Sequence, residues 1–250
     1  MENQDILILK KKVKSLTINL YLITTATICF FLFSFISTKN ETFNEITAKK
    51  LTIVESNGQP RLVLANSQNS PANLMHGKTY GLKEGGRPGL IFLNDELTEC
   101  GGLVFTGRKD PKTGEYFASG HFSFDQYDQN QVLYLQYLDD NGSKKTGLYV
   151  DDWHKNPDFA EFRKKYKEAE KIPDEIEREK RLEEMRFPKN SEPAFANRVF
   201  IGKDVNKDAV LNLSDTKGNV RLQMKVDSLG KAQILFLDDK GKITAKFPQQ

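Results

Sequence analysis

Cysteine is nearly absent from this chain, with two residues among 250. Cys29 falls within an apolar run near the N-terminus, which leaves Cys100 as the single cysteine of the remaining chain and excludes an intramolecular disulfide there. The three histidines, His76, His121 and His154, share no metal-ligand spacing, and one thiol is too few for a cysteine zinc site. The sequence therefore predicts neither a metal nor another cofactor.

A strong excess of charge of one sign is also missing. The 37 Lys and Arg residues are nearly balanced by 34 Asp and Glu residues, which gives a formal net charge of +3. A nucleic-acid-binding protein usually concentrates basic residues on one face. The chain also lacks the Gly-rich phosphate loop of nucleotide-binding proteins and the dinucleotide fingerprint. We therefore expect no nucleic-acid partner.

Charge is entirely absent from one stretch, residues 15–37. A helix of this length crosses a hydrocarbon core of roughly 30 Å, because each residue adds about 1.5 Å. The sequence therefore predicts a transmembrane anchor over 15–37, with the lipid bilayer as its partner. A short tail over 1–14 precedes the anchor, and a linker over 38–45 follows it.

The residues that flank this run predict its orientation. Lys10, Lys11, Lys12 and Lys14 precede it, and positive charge marks the cytoplasmic side of a membrane segment. We therefore expect a single-pass protein of the cell membrane with a cytoplasmic N-terminus and an extracytoplasmic C-terminal domain. A cleaved signal peptide is the alternative, although its apolar region is normally shorter and ends at a small-x-small site.

The segment 46–150 has the composition of a block of short β-strands. Its apolar runs are rich in β-branched and aromatic residues, and Gly, Asn, Asp and Pro separate them. The pairs Asn57-Gly58 and Asn141-Gly142 supply the positive φ angles of tight type I′ hairpins. Residues 66–88 contain few apolar side chains and many Gly and Pro, which predicts a long loop.

Residues 151–192 have a different character. Asn156-Pro157-Asp158 predicts a helix start, and Phe159, Phe162 and Tyr166 then form a narrow apolar stripe at helical spacing. Alternating Glu and Arg or Lys residues follow. We expect a charged helical insertion that adds little to the core and can be removed; a partner-binding or headgroup-binding helix is the alternative.

Residues 193–250 return to the β pattern and repeat parts of the first block. The segment 58–64 matches 218–224, and the turn 139–142 matches 238–241. A hairpin unit that recurs along a chain cannot bury its apolar face alone, so neighbouring units must stack. The predicted fold is mainly β, with repeated antiparallel hairpins arranged as a sandwich, a barrel or a solenoid-like stack.

These units resemble those of an uncharacterised group of bacterial membrane-anchored proteins, in which a strand, an Asp-x-x-Gly-x-x-Arg segment and a second strand recur. The resemblance covers most of 46–150 and 199–247. No activity is assigned to that group, so the resemblance implies an architecture and no reaction. The charged insertion departs from the repeat pattern. The segments that carry the resemblance are IVESNGQPRLVLAN, GRPGLIFLNDELTECGGLVF, GHFSFDQYDQNQV and LNLSDTKGNVRLQMKVDSLGKAQILFLDDKGK.

The densest polar and aromatic cluster surrounds His121. On a β-strand, His121, Ser123 and Asp125 point to one face, and together with Glu99 and Tyr127 they are candidates for a ligand-facing surface. A Ser-His-Asp triad needs a hydrogen-bonded chain in space, and side chains two apart on one strand are parallel and too distant to form one. A structural strand with a satisfied histidine is the alternative.

The function indicated by these features is a non-enzymatic binding or scaffolding module outside the cytoplasm, with an envelope protein or polymer as its partner. The alternative is an anchored hydrolase of cell-envelope polymers, because two carboxylates can act as acid and base in glycoside cleavage. Its carboxylates would be among Asp95, Glu99 and Asp125, and it would need a deep cleft and perturbed pKa values.

Overall fold

The protein is mainly β, as the sequence predicted. The structure is a computed structural model that describes residues 2–34, 42–155, 157–189 and 192–249. These residues form three helices and fourteen strands. The strands are β1 (Lys50–Val54), β2 (Pro60–Ala65), β3 (Asn73–Met75), β4 (Lys78–Tyr80), β5 (Gly89–Leu93), β6 (Glu99–Lys109), β7 (Tyr116–Asp125), β8 (Gln131–Asp140), β9 (Ser143–Trp153), β10 (Phe195–Lys203), β11 (Ala209–Ser214), β12 (Val220–Val226), β13 (Ala232–Leu237) and β14 (Ile243–Phe247).

Twelve of these strands form one continuous antiparallel sheet. Their order in the sheet is β1-β2-β5-β6-β7-β8-β9-β10-β11-β12-β13-β14, so each strand lies beside the next strand of the sheet along the chain. Strands β1 and β14 are the two edges, and the sheet is not closed into a barrel. Strands β3 and β4 pair only with each other. Antiparallel neighbours need only short connections, which is why a chain of repeated hairpins builds this topology.

The N-terminal helix α1 (Glu2–Ser34) belongs to a compact unit of its own, residues 1–47. Its segment Gln4–Phe31 is long and apolar enough to cross a membrane. The hydroxyl groups of Thr17 and Thr27 donate to backbone carbonyls four residues earlier, at 2.9 and 2.8 Å. Such bonds satisfy polar groups inside the helix, as an apolar surrounding requires. The end of the predicted anchor, residues 35–37, and the first linker residues lie outside the described part of the chain.

In the part of the chain that the structure describes, an Asp or Asn side chain closes the same type of turn five times. At each of these turns, an Oδ1 atom accepts hydrogen bonds from the backbone N–H groups two and four residues later, at 2.8–3.0 Å. The fourth residue of each turn has a φ between 59 and 87°, which is typical of a three-residue hairpin loop that ends in a bulge. The repeated acidic turn is therefore a structural device. The five residues are Asn94, Asp204, Asp215, Asp227 and Asp238.

The repeat is confirmed for one pair of turns and wrong for the other. Gly58 and Gly218 close equivalent turns, with φ of 83 and 84°. Gly142 differs from Gly241, because Asn141 and Gly142 are both at positive φ in a two-residue type I′ turn. Gly241 instead ends a three-residue loop. The two sequences match, but the pairing register of the flanking strands differs.

Asn57-Gly58 also differs from the type I′ turn predicted for it. Asn57 is not at positive φ. Its Oδ1 atom accepts a hydrogen bond of 3.0 Å from the N–H of Gln59. A local side-chain bond of this kind stabilises the longer loop, so the same dipeptide serves two turn types.

The predicted loop 66–88 contains the hairpin β3–β4. His76 and Gly77 form its two-residue turn, with φ of 49 and 71°. Leu74 of β3 packs against the buried residues Val63 and Leu93 of the main sheet. The strands have three residues each, too few to show a periodic pattern in the sequence. Tertiary packing therefore creates this hairpin.

The charged insertion forms α2 (Phe159–Ala169) and α3 (Glu175–Arg186). The Asp158 side chain accepts from the Glu161 N–H and caps α2, whereas the predicted cap Asn156 lies outside the described residues. Flanking strands β9 and β10 pair directly with each other.

The insertion contributes more to the core than its composition indicated. The ring of Trp153 lies 5.4 Å from that of Phe159, and it stacks on Phe195 at 5.2 Å. Phe162 of α2 and Leu182 of α3 are buried. The narrow apolar stripe of the insertion therefore has a specific aromatic partner on the sheet. That the insertion can be removed without loss of the fold stays a prediction.

We predict that Gly58→Val lowers the free energy of unfolding by about 1–2 kcal/mol, because a branched side chain is strained at φ 83°. A Cβ atom at this position would have no neighbour within 4 Å, so the effect isolates the backbone conformation. Urea denaturation of the full chain in detergent measures it. Gly120→Val is the matched control, since Gly120 lies in β7 at ordinary φ and is equally open. Equal effects of the two substitutions would contradict the argument.

Candidate functional site

A cavity of about 340 Å³ lies between the sheet and the two segments that pack on it. The sheet contributes the face that carries Ile91 and Ser123, which we call the covered face. Tyr80 of β4 and Phe159 of α2 line the other side, with their rings edge to face at 6.1 Å. The volume lies near the lower limit of the range for ligand pockets, ~300–1,000 Å³.

A buried ion pair holds one wall of this cavity. The Arg87 guanidinium donates to both carboxylate oxygens of Glu99, at 2.6 and 3.1 Å, and both side chains are only 13% exposed. Arg87 also donates to the carbonyl of Pro71, and the Asn73 amide donates to Glu99 at 3.1 Å. A bidentate pair of this geometry fixes the orientation of both groups. Glu99 is thus present at the site as predicted, but its oxygens are already engaged.

His121, Ser123 and Asp125 all face the cavity, as their spacing along β7 predicted. No described residue forms a hydrogen bond with Nδ1 or Nε2 of His121 or with Oδ1 of Asp125, although these atoms are buried. His121 therefore has no bond to Ser123, and the three side chains do not form a catalytic triad. Buried polar atoms without a partner are rare in folded proteins, and each calls for an explanation.

Burial sets the charge state of these groups. Burial, and then the nearby Glu99 carboxylate, raise the pKa of Asp125 to about 7, against the opposing effect of the Ser123 hydroxyl and Arg87. Burial lowers the pKa of His121, so its imidazole is neutral at pH 7. Burial also raises the pKa of the Tyr80 hydroxyl. The cavity therefore presents uncharged donors and acceptors beside a neutralised ion pair and the guanidinium of Arg163.

Two residues considered from the sequence lie elsewhere. Tyr127 is 64% exposed, and its hydroxyl donates to Glu96 at 2.5 Å, outside the lining of the cavity. Tyr127 therefore belongs to the predicted surface but does not line this cavity. Asp95 is exposed and pairs with Arg61. Of the three carboxylates considered for hydrolysis, Glu99 and Asp125 share the cavity and Asp95 does not.

A further histidine lies between two carboxylates near Tyr127. Nδ1 of His76 is 3.3 Å from Glu96, and Nε2 is 3.1 Å from Asp128. The three side chains gather their ligand atoms within 4.8 Å of one another. Acidic groups are common at protein surfaces without an ion, so these three residues carry no metal assignment.

Sequence reasoning missed the residues that close the cavity. Arg87, Tyr80 and Arg163 come from the segment 66–88 and from α2, and each is distant in sequence from β7. The available signal was the Gly- and Pro-rich composition of 66–88, since long loops in compact domains often carry function. That composition does not say where such a loop will pack.

Comparison with known proteins adds no homologue to this description. No family model matches the chain, and no curated protein matches it.

We predict that Asp125→Asn reduces the loss of stability that accompanies a rise in pH. An unfolded Asp has a pKa near 3.9, whereas Asp125 titrates near 7 in the fold. Between these values the folded state keeps a proton that the unfolded chain has released, so the stability contributed by protonated Asp125 falls as pH rises. The variant should therefore gain stability relative to the parent between pH 5 and pH 8.

Urea denaturation of the full chain at the two pH values tests this expectation, because the difference between variant and parent isolates one carboxyl group. Asp110→Asn is the control, since backbone N–H groups lower the pKa of this exposed carboxylate and it does not titrate in that window. Identical pH dependence for Asp125→Asn and the parent would contradict the assigned environment.

Proposed function

We propose that this protein is a membrane-anchored, extracytoplasmic binding module that holds a neutral, polyhydroxylated group, such as a sugar unit of an envelope polymer, in the cavity of the covered face. The observation that carries the proposal is the set of buried, unpartnered atoms on His121 and Asp125. A ligand that supplies hydrogen bonds to these atoms removes a desolvation penalty of about 1–3 kcal/mol for each neutral group.

The chemistry of the lining favours a hydroxylated ligand. A hydroxyl group both donates and accepts, which suits a neutral imidazole and a carboxyl group that exchanges its proton near pH 7. The aromatic walls, Tyr80 and Phe159, offer apolar contact to a ring. The charge of Arg87 is neutralised by Glu99, so an anionic ligand has little to gain from that side of the cavity.

The same groups argue for binding in preference to hydrolysis. Glycoside cleavage needs two free carboxyl groups that flank the scissile bond. Glu99 accepts three hydrogen bonds from Arg87 and Asn73, so it is not free to activate water. Asp125 has the raised pKa of a general acid, but the described residues that line the cavity offer it no second free carboxyl group. Hydrolysis of an envelope polymer is the competing outcome of the test below.

The proposed location rests on α1 and its flanks. Four lysines at positions 10–14 precede the uncharged part of α1, and this part of the helix is expected to keep them in the cytoplasm. The sheet would then lie outside the cytoplasm, where it has access to envelope polymers.

We predict that binding of neutral sugars requires His121 and Asp125. The full chain in detergent should bind at least one member of a panel of hexoses, N-acetylhexosamines and their short oligomers in isothermal titration calorimetry. His121→Ala and Asp125→Ala should each weaken binding about tenfold or more, which corresponds to the loss of about 1.4 kcal/mol. Asp110→Ala, in an exposed turn, should bind as the parent does.

Failure of every sugar to bind, or equal binding by all variants, would contradict the proposed ligand class. Release of new reducing ends from the oligomers, abolished by Asp125→Ala, would replace the binding module with the hydrolase.

We predict that protease added to spheroplasts digests the C-terminal domain and leaves α1 in the membrane fraction. An epitope at the N-terminus should be protected until the membrane is permeabilised. A mature protein that begins near residue 38 would show cleavage of the anchor, and protection of the C-terminal domain would contradict the orientation.

A further inference from the structure

The face of the main sheet opposite the covered face carries two unbroken rows of apolar residues. One row follows the cross-strand pairs from Leu51 in β1 through Leu103, Leu135 and Ile201 to Phe247 in β14. Each of its twelve members is an Ile, Leu, Met or Phe. The adjacent row runs from Ile53 to Ala245 across the same twelve strands, two residues away on each strand. None of its residues is charged. We call the surface formed by these two rows the apolar face.

The chain itself leaves much of this face open to solvent. Leu135 is 53% exposed, Ile201 47% and Phe236 47%. The hairpin β3–β4 and helix α2 pack on the opposite side, against Val63 and around Ile91. Monomeric proteins rarely expose a contiguous apolar patch of more than a few hundred Å², and larger patches usually mark an interaction surface.

The dimensions of the apolar face match those of a stable interface. Twelve strands spaced by about 4.8 Å span roughly 50 Å. Two rows of side chains along the strands cover a width of about 14 Å, which gives an area on the order of 700 Å². Two such faces in contact would bury roughly 1,400 Å², within the ~1,200–2,000 Å² of a standard protein–protein interface.

A second copy of this chain is the occupant that fits. The partner must offer an uncharged surface about 50 Å long, and the chain carries such a surface in its own repeated strands. Two sheets that pack face to face at about 10 Å form a β-sandwich, in which the inward side chains of both interdigitate. A twofold interface uses the same patch on both subunits. The pairing would also supply the stacking that a repeated hairpin needs to bury its apolar side.

We propose that the apolar face is the interface between two copies of this chain, which form a dimer with a sandwich of two twelve-stranded sheets. The covered faces then point outward, and each copy keeps its cavity accessible. This inference stands apart from the proposed ligand, since it uses the opposite side of the sheet.

The mass of the full chain in detergent tests the proposal. Light scattering after size-exclusion chromatography should give a protein mass of two chains. Leu135→Glu and Ile201→Glu each place a charge in the row that runs from Leu51 to Phe247. Each should raise the dimer dissociation constant tenfold or more. Leu229→Glu is the matched control, because Leu229 is 93% exposed in the turn between β12 and β13 and lies outside the face. Circular dichroism should show unchanged strand content in all three variants.

A parent protein that is monomeric at micromolar concentration would overturn the proposal, and so would a dimer that both face variants retain. The second result would place self-association in α1. A monomer that binds lipid vesicles through Leu135 and Ile201 would overturn the dimer and assign the face to a membrane surface. An assembly of more than two chains would overturn the paired sandwich.

Disulfide trapping tests the geometry independently of stability. Leu148 lies in β9, beside Leu135 and near the middle of the sheet, where a twofold axis brings a position close to its copy. In a chain with Cys29→Ser and Cys100→Ser, oxidation of Leu148→Cys in membranes should link two chains, whereas Leu229→Cys should not. The face-to-face arrangement would be overturned if the Leu148→Cys variant is a dimer but its two chains do not become linked. The same holds if they become linked no faster than those of Leu229→Cys.

Discussion

Backbone pairing between successive strands is the interaction on which this structure depends. The sheet extends from β1 to β14 without closing, and few of its apolar side chains are fully buried. Tight turns must therefore hold each pair of strands in register. The Asx side chains at Asn94, Asp204, Asp215, Asp227 and Asp238 do so by accepting two backbone bonds each. The acidic character of the repeats thus has a structural cause.

The regular sheet is interrupted twice, and both interruptions contribute to the same site. The first lies between β2 and β5 and forms the small hairpin; the second lies between β9 and β10 and forms α2 and α3. Tyr80 comes from the first and Phe159 from the second, and their rings meet above β7. The cavity therefore exists only because two insertions, far apart in sequence, return to one face. Its polar lining combines Glu99, His121 and Asp125 of the regular strands with Arg87 of the first insertion.

The two faces of the sheet differ in chemistry because of the alternation of side chains along each strand. In β7, His121, Ser123 and Asp125 point to the covered face, while Phe122 and Phe124 point to the apolar face. Two rows of apolar residues continue across all twelve strands on that second side. One face thus suits a polar ligand, and the other suits a large apolar partner.

The sequence by itself determined the class of structure. Period-two alternation, β-branched composition and Asp-x-x-Gly turns were enough to predict repeated antiparallel hairpins, the break at the charged insertion and the shared orientation of His121 and Asp125. These features are local, since each depends on residues within about a dozen positions. The apolar helix α1 was predictable for the same reason.

The tertiary structure alone decided the architecture and the site. Local periodicity is the same in a sandwich, a barrel and an open sheet, so the continuous open sheet could not be predicted from it. The Arg87–Glu99 pair, the hairpin at Leu74 and the contact of Trp153 with α2 each join segments that are separated along the chain. The environment of Asp125 depends on how those segments pack, because burial and a neighbouring carboxylate set its pKa. The sequence shows which titratable residues are present, and only packing determines which of them are buried together.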